Sequence, residues 1–228
     1  MIEFENVFKE YSNGILALSN INFKIPDGDF VFLVGSSGAG KSTMIKLLIR
    51  EETVTRGKIL IDDVDITKIA KRKIPKLRRN ISVVFQDHRL LDKKTVFENI
   101  AYALEIQGAS KAEIKEAVEE TLDIVSLTDK RNCYPRELSG GEQQRVSIAR
   151  AIVNKAPILL CDEPTGNLDQ ETAWEIMKAL IKINERGTTI IMATHAVDIV
   201  NKMQKHVITL SKGQIVKNIE KGGYYEED

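Results

Sequence analysis

Gly35-Ser36-Ser37-Gly38-Ala39-Gly40-Lys41-Ser42 follows Phe30-Val31-Phe32-Leu33-Val34 without a break. The apolar run is continuous, as expected of a central strand covered on both faces. After Lys41, the residues Met44, Ile45, Leu47 and Leu48 recur at helical spacing. A glycine-rich octet between strand and helix satisfies G-x-x-x-x-G-K-[ST] in the context that motif requires. Its glycines let the backbone turn tightly, so that successive N–H groups aim at phosphate oxygens. The helix adds the positive end of its dipole to the same anion. Lys41 can bridge the outer phosphates of a nucleotide, and the Ser42 hydroxyl can ligate Mg²⁺. The octet points to an α/β phosphate-binding core.

Outward from it, Ile21, Phe23 and Ile25 alternate with polar residues as in a half-buried strand, and Pro26-Asp27-Gly28 supplies a turn. Further strands are expected at 58–61, 80–85, 158–161, 188–193 and 207–210, with a helix around 174–183. Lys212-Gly213 reads as a hairpin turn. Between about 87 and 155 the character is helical. Ser110 with Glu113 forms a capping box there, and Ile114, Ala117, Val118, Thr121, Leu122 and Val125 share one face. Residues 1–86 and 156–221 are thus assigned to a nucleotide-binding α/β core and 87–155 to an inserted helical subdomain. The polar, acidic stretch 222–228 is expected to be a disordered tail.

Composition narrows the classes. Lys plus Arg and Asp plus Glu both number 33, so no global basic field draws the chain to nucleic acid. Cys133 and Cys161 form neither a close pair nor a metal-ligand spacing, which suits a reduced, cytoplasmic compartment. The N-terminus lacks a secretory layout. No apolar run approaches the ~18–20 residues of a membrane helix. A membrane role is therefore expected to come through a partner.

Two further segments carry chemistry. Asp162 ends the apolar strand at 158–161, where its carboxylate can hold Mg²⁺ directly or through water. Glu163 follows and can orient and polarise an attacking water, a role worth about 10²–10⁴ in rate. An ordinary Asp-Glu-Pro turn is the plainer account, and Lys41 argues against it. Cys161 reads as a small buried hydrophobe. Ser139-Gly140-Gly141-Glu142 is itself a capping box. Two glycines after the cap clear the space before the exposed N–H groups, so a phosphate from outside the subunit could dock there. The octet already owns a helix N-terminus, so the pattern favours a head-to-tail homodimer.

Read together, these segments resemble those of an ABC-transporter ATPase subunit, over nearly the whole chain. That resemblance implies a P-loop NTPase fold with a mixed β-sheet and an inserted helical subdomain, using ATP and Mg²⁺. It implies ATP contacts from Tyr11, stacked on adenine, and from Gly35, Ser36, Ser37, Gly38, Ala39, Gly40, Lys41, Ser42 and Thr43. It implies metal contacts from Ser42, Gln86 and Asp162, and catalytic roles for Lys41, Glu163 and His195. Asp169 falls at the D-loop position, and Ser139, Gly140, Gly141 and Glu142 form the signature that acts in trans. One departure is Ala196, where the family usually has Asp after the histidine.

Within that family, Gln86-Asp87-His88-Arg89-Leu90-Leu91 and Ile74-Pro75-Lys76-Leu77-Arg78-Arg79 resemble the ATPase subunits of bacterial cell-division complexes. Gly108-Ala109-Ser110 and Pro164-Thr165-Gly166-Asn167-Leu168-Asp169 agree, although the last also suits lipoprotein-release and macrolide exporters, the alternative. This narrower resemblance implies an FtsX-like integral membrane subunit at the cytoplasmic face of the membrane and control of cell-wall hydrolases. Leu90 and Leu91 are expected in the groove that receives that partner. The basic run Lys68, Lys71, Arg72, Lys73, Lys76, Arg78 and Arg79 reads as a solvated face or as a contact for anionic lipid, worth about 1 kcal/mol per well-placed charge.

Overall fold

The computed structural model describes residues 1–85, 87–166 and 168–224. The chain runs β1 (Ile2–Glu10), β2 (Leu16–Ile25), β3 (Phe30–Val34), α1 (Lys41–Leu48), β4 (Arg56–Ile61) and β5 (Val64–Asp65). It continues through α2 (Ile74–Arg79), β6 (Ile81–Val84), α3 (Val96–Glu105), α4 (Lys111–Ile124) and α5 (Gly140–Ile152). The last third holds β7 (Ile158–Asp162), α6 (Gln170–Glu185), β8 (Thr189–Ala193), α7 (Val197–Met203), β9 (His206–Ser211) and β10 (Gln214–Ile219).

Two sheets result. β2-β1-β4-β5 is antiparallel, and the larger sheet runs β10-β9-β3-β8-β7-β6, parallel except for the β9–β10 hairpin. β3 sits inside the large sheet, with Phe30 opposite Ile190 and Leu33 opposite both Ala193 and Ile208. Its five residues are all buried. Phe30, Phe32 and Val34 face a core shared with α3, α4, α5 and α6. Val31 and Leu33 face a second core, between the two sheets and around α1. Burial on both faces is why this strand has no polar alternation. Apolar area of this kind contributes about 25 cal/mol per Å² on leaving water.

Helices α3, α4 and α5 lie between β6 and β7 in the chain, and each begins on a capping box, from Thr95, Ser110 and Ser139. The tail differs from the expectation of disorder as far as residue 224. Gly222 N–H donates to Lys205 O at 3.1 Å, Gly223 is buried, and Tyr224 packs against the large core. A partly buried aromatic and a paired backbone offset the polar composition there. The rest of that stretch lies outside the described residues.

His206, at the start of β9, ties that strand to its neighbours on both sides. The ring is buried; Nδ1 lies 2.6 Å from Asp29 Oδ2 and Nε2 lies 2.6 Å from Asn218 Oδ1. The hydrogen bond to Asp29 raises its pKa above the ordinary 6.5, against desolvation, with Asn218 and the charge of Glu220 adding to the rise. A raised folded-state pKa stabilises below the unfolded value and loses that contribution as pH rises through the folded one. The melting temperature should therefore fall by about 2–4 °C per kcal/mol lost as pH climbs above 6.5. His206→Gln should flatten that limb of a thermal-melt pH series, and an unchanged slope would contradict the clasp.

Candidate functional site

The glycine-rich loop is clamped from behind. Gly35 has φ +143°, and a side chain there would come within 2.2 Å of the Leu210 carbonyl oxygen on β9. Only glycine allows that approach. The turn between β9 and β10 holds the other end, where Gly213 N–H donates to Ala39 O at 3.1 Å. Lys41 opens α1 and is buried, its Nζ donating to the carbonyls of Gly35 at 2.7 Å and Ser36 at 3.2 Å. The loop lines a cleft of about 1050 Å³ together with Tyr11, Glu163, His195, Lys212 and Tyr224.

One strand, β7, brings two carboxylates to this loop. Asp162 ends β7, and its Oδ1 accepts from Ser42 Oγ at 3.1 Å. Burial pushes the Asp162 carboxyl above the usual carboxylate range, opposed by the Ser42 hydrogen bond. A hydroxyl and a desolvated carboxylate in contact are an oxygen donor pair suited to a hard divalent cation. Cys161 beside it is fully buried, which raises its thiol pKa and makes it inert packing. Glu163 turns away from the strand in the left-handed region, φ +52°. Its N–H donates to Ala193 O at 2.9 Å, and its carbonyl accepts from Gly166 at 3.2 Å. Such a backbone costs about 1 kcal/mol in a residue with a side chain and persists only where its surroundings demand it.

His195 stands just beyond β8, exposed, with Nδ1 2.9 Å from Glu163 Oε2 in a close contact not aligned as a hydrogen bond. Its base is firmer than its ring. Buried Thr194 donates its N–H to Leu33 O on β3 at 3.1 Å and accepts from Ala196 N–H at 3.0 Å. On the opposite wall, the Tyr11 hydroxyl lies 3.2 Å from Thr43 Oγ1. Lys9, buried and paired with Glu52 at 2.7 Å, sits 4.7 Å from the Tyr11 ring centroid. Lys9 and Tyr224 carry no local motif, and the hold of the Lys212-Gly213 turn on Ala39 likewise depends on chain segments far apart in sequence.

Ser139, Gly140, Gly141 and Glu142 stand outside the lining of this cleft. Ser139 caps α5 reciprocally with Glu142, whose carboxyl is held below the usual range first by the Ser139 backbone N–H. The expectation that both glycines clear space for an anion needs correction. A side chain at Gly141 would lie 2.1 Å from Thr172 Cγ2 on α6, so that glycine answers to packing within the chain. Nothing lies within 4 Å of the corresponding point at Gly140, which leaves the α5 N-terminus open. Asp169 caps α6, accepting from Thr172 N at 3.0 Å and Thr172 Oγ1 at 2.6 Å. Those bonds, the hydroxyl's first, hold its carboxyl below the usual range.

Gln86 lies outside the described residues. The segment after it is gripped by α5. Arg150 donates to the carbonyls of His88 at 2.9 Å and Arg89 at 2.7 Å, and His88 Nδ1 contacts Gln144 Oε1. Leu90 packs half-buried on the large core, and Asn99 bonds both the N–H and the C=O of Leu91. The basic run is exposed on and before α2, with Arg78 Nε donating to Ile49 O at 2.9 Å.

The chain is similar to known proteins. The protein family described as ABC transporter matches residues 18–166. The cell division ATP-binding protein FtsE of Bacillus subtilis (strain 168) is 54% identical over 228 residues, covering 100% of both chains. FtsE of Mycobacterium tuberculosis (strain ATCC 25618 / H37Rv) is 50% identical over 225 residues, covering 98% of each. Among solved structures, a dimeric post-hydrolysis state of an ATP-binding cassette bound to ADP and Pi superposes with a TM-score of 0.87. It shares 35% identity over 98% of this chain and 100% of that one.

The two signature glycines should separate in a pair of variants. Gly141→Ala is expected to lose about 1–3 kcal/mol of stability by overpacking against Thr172. Thr172→Ser, which keeps the hydroxyl bonded to Asp169, should recover part of it. Gly140→Ala should melt within about 0.5 kcal/mol of the parent. Equal destabilisation of the two in thermal melts would contradict the contact.

Proposed function

The chain belongs to the ABC transporter family and, within it, to the cell division ATP-binding proteins, and it is an ATPase; from that membership we propose that it closes as a homodimer around two ATP. In this reading it drives an FtsX-type integral membrane subunit from the cytoplasmic face of the membrane, and the output is force delivered to cell-wall hydrolases. One observation carries the dimer. The clamped loop, Glu163 and His195 share a cleft that Ser139 and Gly140 do not line, while Gly140 leaves a helix N-terminus open to an outside anion. A nucleotide held in the cleft of one copy and against Ser139-Gly140 of the other would use both.

The residues divide the work accordingly. Tyr11, steadied by Lys9 and Thr43, offers its ring to the base. The loop N–H groups and Lys41 take the phosphates. Mg²⁺, for which Ser42 and Asp162 are suited donors and Gln86 the expected third, neutralises phosphate charge when bound. Glu163 is aimed into the cleft by its left-handed backbone and by the bond to Ala193, where it can accept a proton from the attacking water. His195, against that carboxylate, can donate to the transferred phosphoryl oxygens, so catalysis rests on positioning and electrostatics. Once the γ-phosphate is gone, the anion shared by the two copies is gone too, and they part. Because α5 carries the signature at its start and grips residues 88 and 89 through Arg150, closure can reach the partner-facing segment after Gln86.

Glu163→Gln tests the assignment. ATP affinity should be preserved, turnover should fall at least ~10²-fold, and a closed dimer should accumulate with ATP. Turnover equal to that of the parent in a phosphate-release assay would remove Glu163 from the chemistry.

A further inference from the structure

His195 is followed at once by a short helix whose N-cap residue has no capping side chain. α7 spans seven residues, and Ala196, at its N-cap, makes no side-chain capping bond. A Ser, Thr, Asp or Asn there would contribute about 1 kcal/mol. Ile199 and Val200 are buried, and Lys202 Nζ rests 4.2 Å from the Trp174 ring centroid on α6. These contacts fix the body of the helix; at the histidine end the Thr194 hydroxyl holds the Ala196 N–H, while the first N–H groups of the helix itself receive no side-chain cap.

The stretch 222–224 grips α7 from another side. Tyr224 N–H donates to Asn201 Oδ1 at 2.6 Å, and Gly222 N–H donates to Lys205 O just beyond the helix. Between them Gly223 is buried so closely that a side chain would fall 2.7 Å from Asn201 Oδ1. The Tyr224 side chain packs on the large core and lines the cleft that also contains Glu163 and His195. One segment thus bonds the helix that follows His195 and stands at the cleft it faces.

We propose that Gly222-Gly223-Tyr224 is a positioning element for His195: by holding α7 through Asn201 it does what a capping side chain at position 196 would otherwise do, and so keeps the imidazole against Glu163. The proposal rests on the reading of His195 as a group that acts on the bound nucleotide. Asn201 and Tyr224 act through His195 and are positioning residues.

The test uses the full chain with Asn201→Ala, which removes the acceptor, and Gly223→Val, which forces the segment off. Measured are kcat, KM for ATP, affinity for a non-hydrolysable ATP analogue, and melting temperature. Each variant should lower kcat about tenfold, since a misplacement near 1 Å can cost up to ~10²-fold. KM and analogue affinity should stay within about twofold of the parent. Adding Ala196→Asp should restore most of the lost kcat in both, because a side-chain cap then secures the helix. In a His195→Ala background, Asn201→Ala should have no further effect. Unchanged kcat in the single variants, a loss that Ala196→Asp does not relieve, or a full additional loss without the histidine would each overturn the proposal. Should His195→Ala itself leave turnover intact, the reading of His195 fails and the proposal with it. Should it slow turnover while the other two variants do not, only the proposal fails.

Discussion

The carbonyl oxygen of Leu210 occupies the place where any side chain at position 35 would have to go. That crowding binds β3, the glycine-rich loop and β9 into one rigid turn, and everything else in the cleft is registered against it. The loop is pressed onto β9 and tied to the β9–β10 turn through Ala39 and Gly213, which holds its backbone donors in place. Preorganised donors of this kind cost no reorganisation when charge arrives. Ser42 then meets Asp162 across from β7, and the parallel pairing of β7 with β8 brings Glu163 and His195 to the same edge. The chemistry stands at the carboxyl ends of parallel strands, where open α/β sheets expose their ligand-binding edge.

Much of the core was legible because the physics that writes it is local. A strand buried on both faces shows as an unbroken apolar run, and β3, β7 and β8 did so. The capping boxes of Ser110 and Ser139 need only side chains three residues apart. Lys212-Gly213 announced its hairpin because both residues adopt positive φ. The cleft was equally readable where the groups lie next to such elements, as Lys41, Ser42, Asp162 and Glu163 do.

What stayed hidden depends on partners far along the chain. The need for glycine at 141 comes from Thr172 on another helix, so a pattern that looked like a cleared anion site is half a packing contact. Lys9 beneath Tyr11 and Arg150 holding residues 88 and 89 are likewise set by tertiary contact. The polarity of 222–228 suggested disorder, yet Gly223 allows a close approach to Asn201 that composition does not record. Asp169 shows the reverse, a residue singled out for its place in a motif that also caps a helix for ordinary reasons.

The central claim is that each nucleotide is served by the loop of one copy and the Ser139-Gly140 end of another. Mixing two inactive proteins measures it most directly, one carrying Lys41→Ala and the other Gly140→Val. In the mixed dimer one site pairs the intact loop of the second protein with the intact signature of the first, so ATP turnover should reappear on mixing. If each site were completed within a single chain, the mixture would stay as inactive as its parts, and that result would contradict the account.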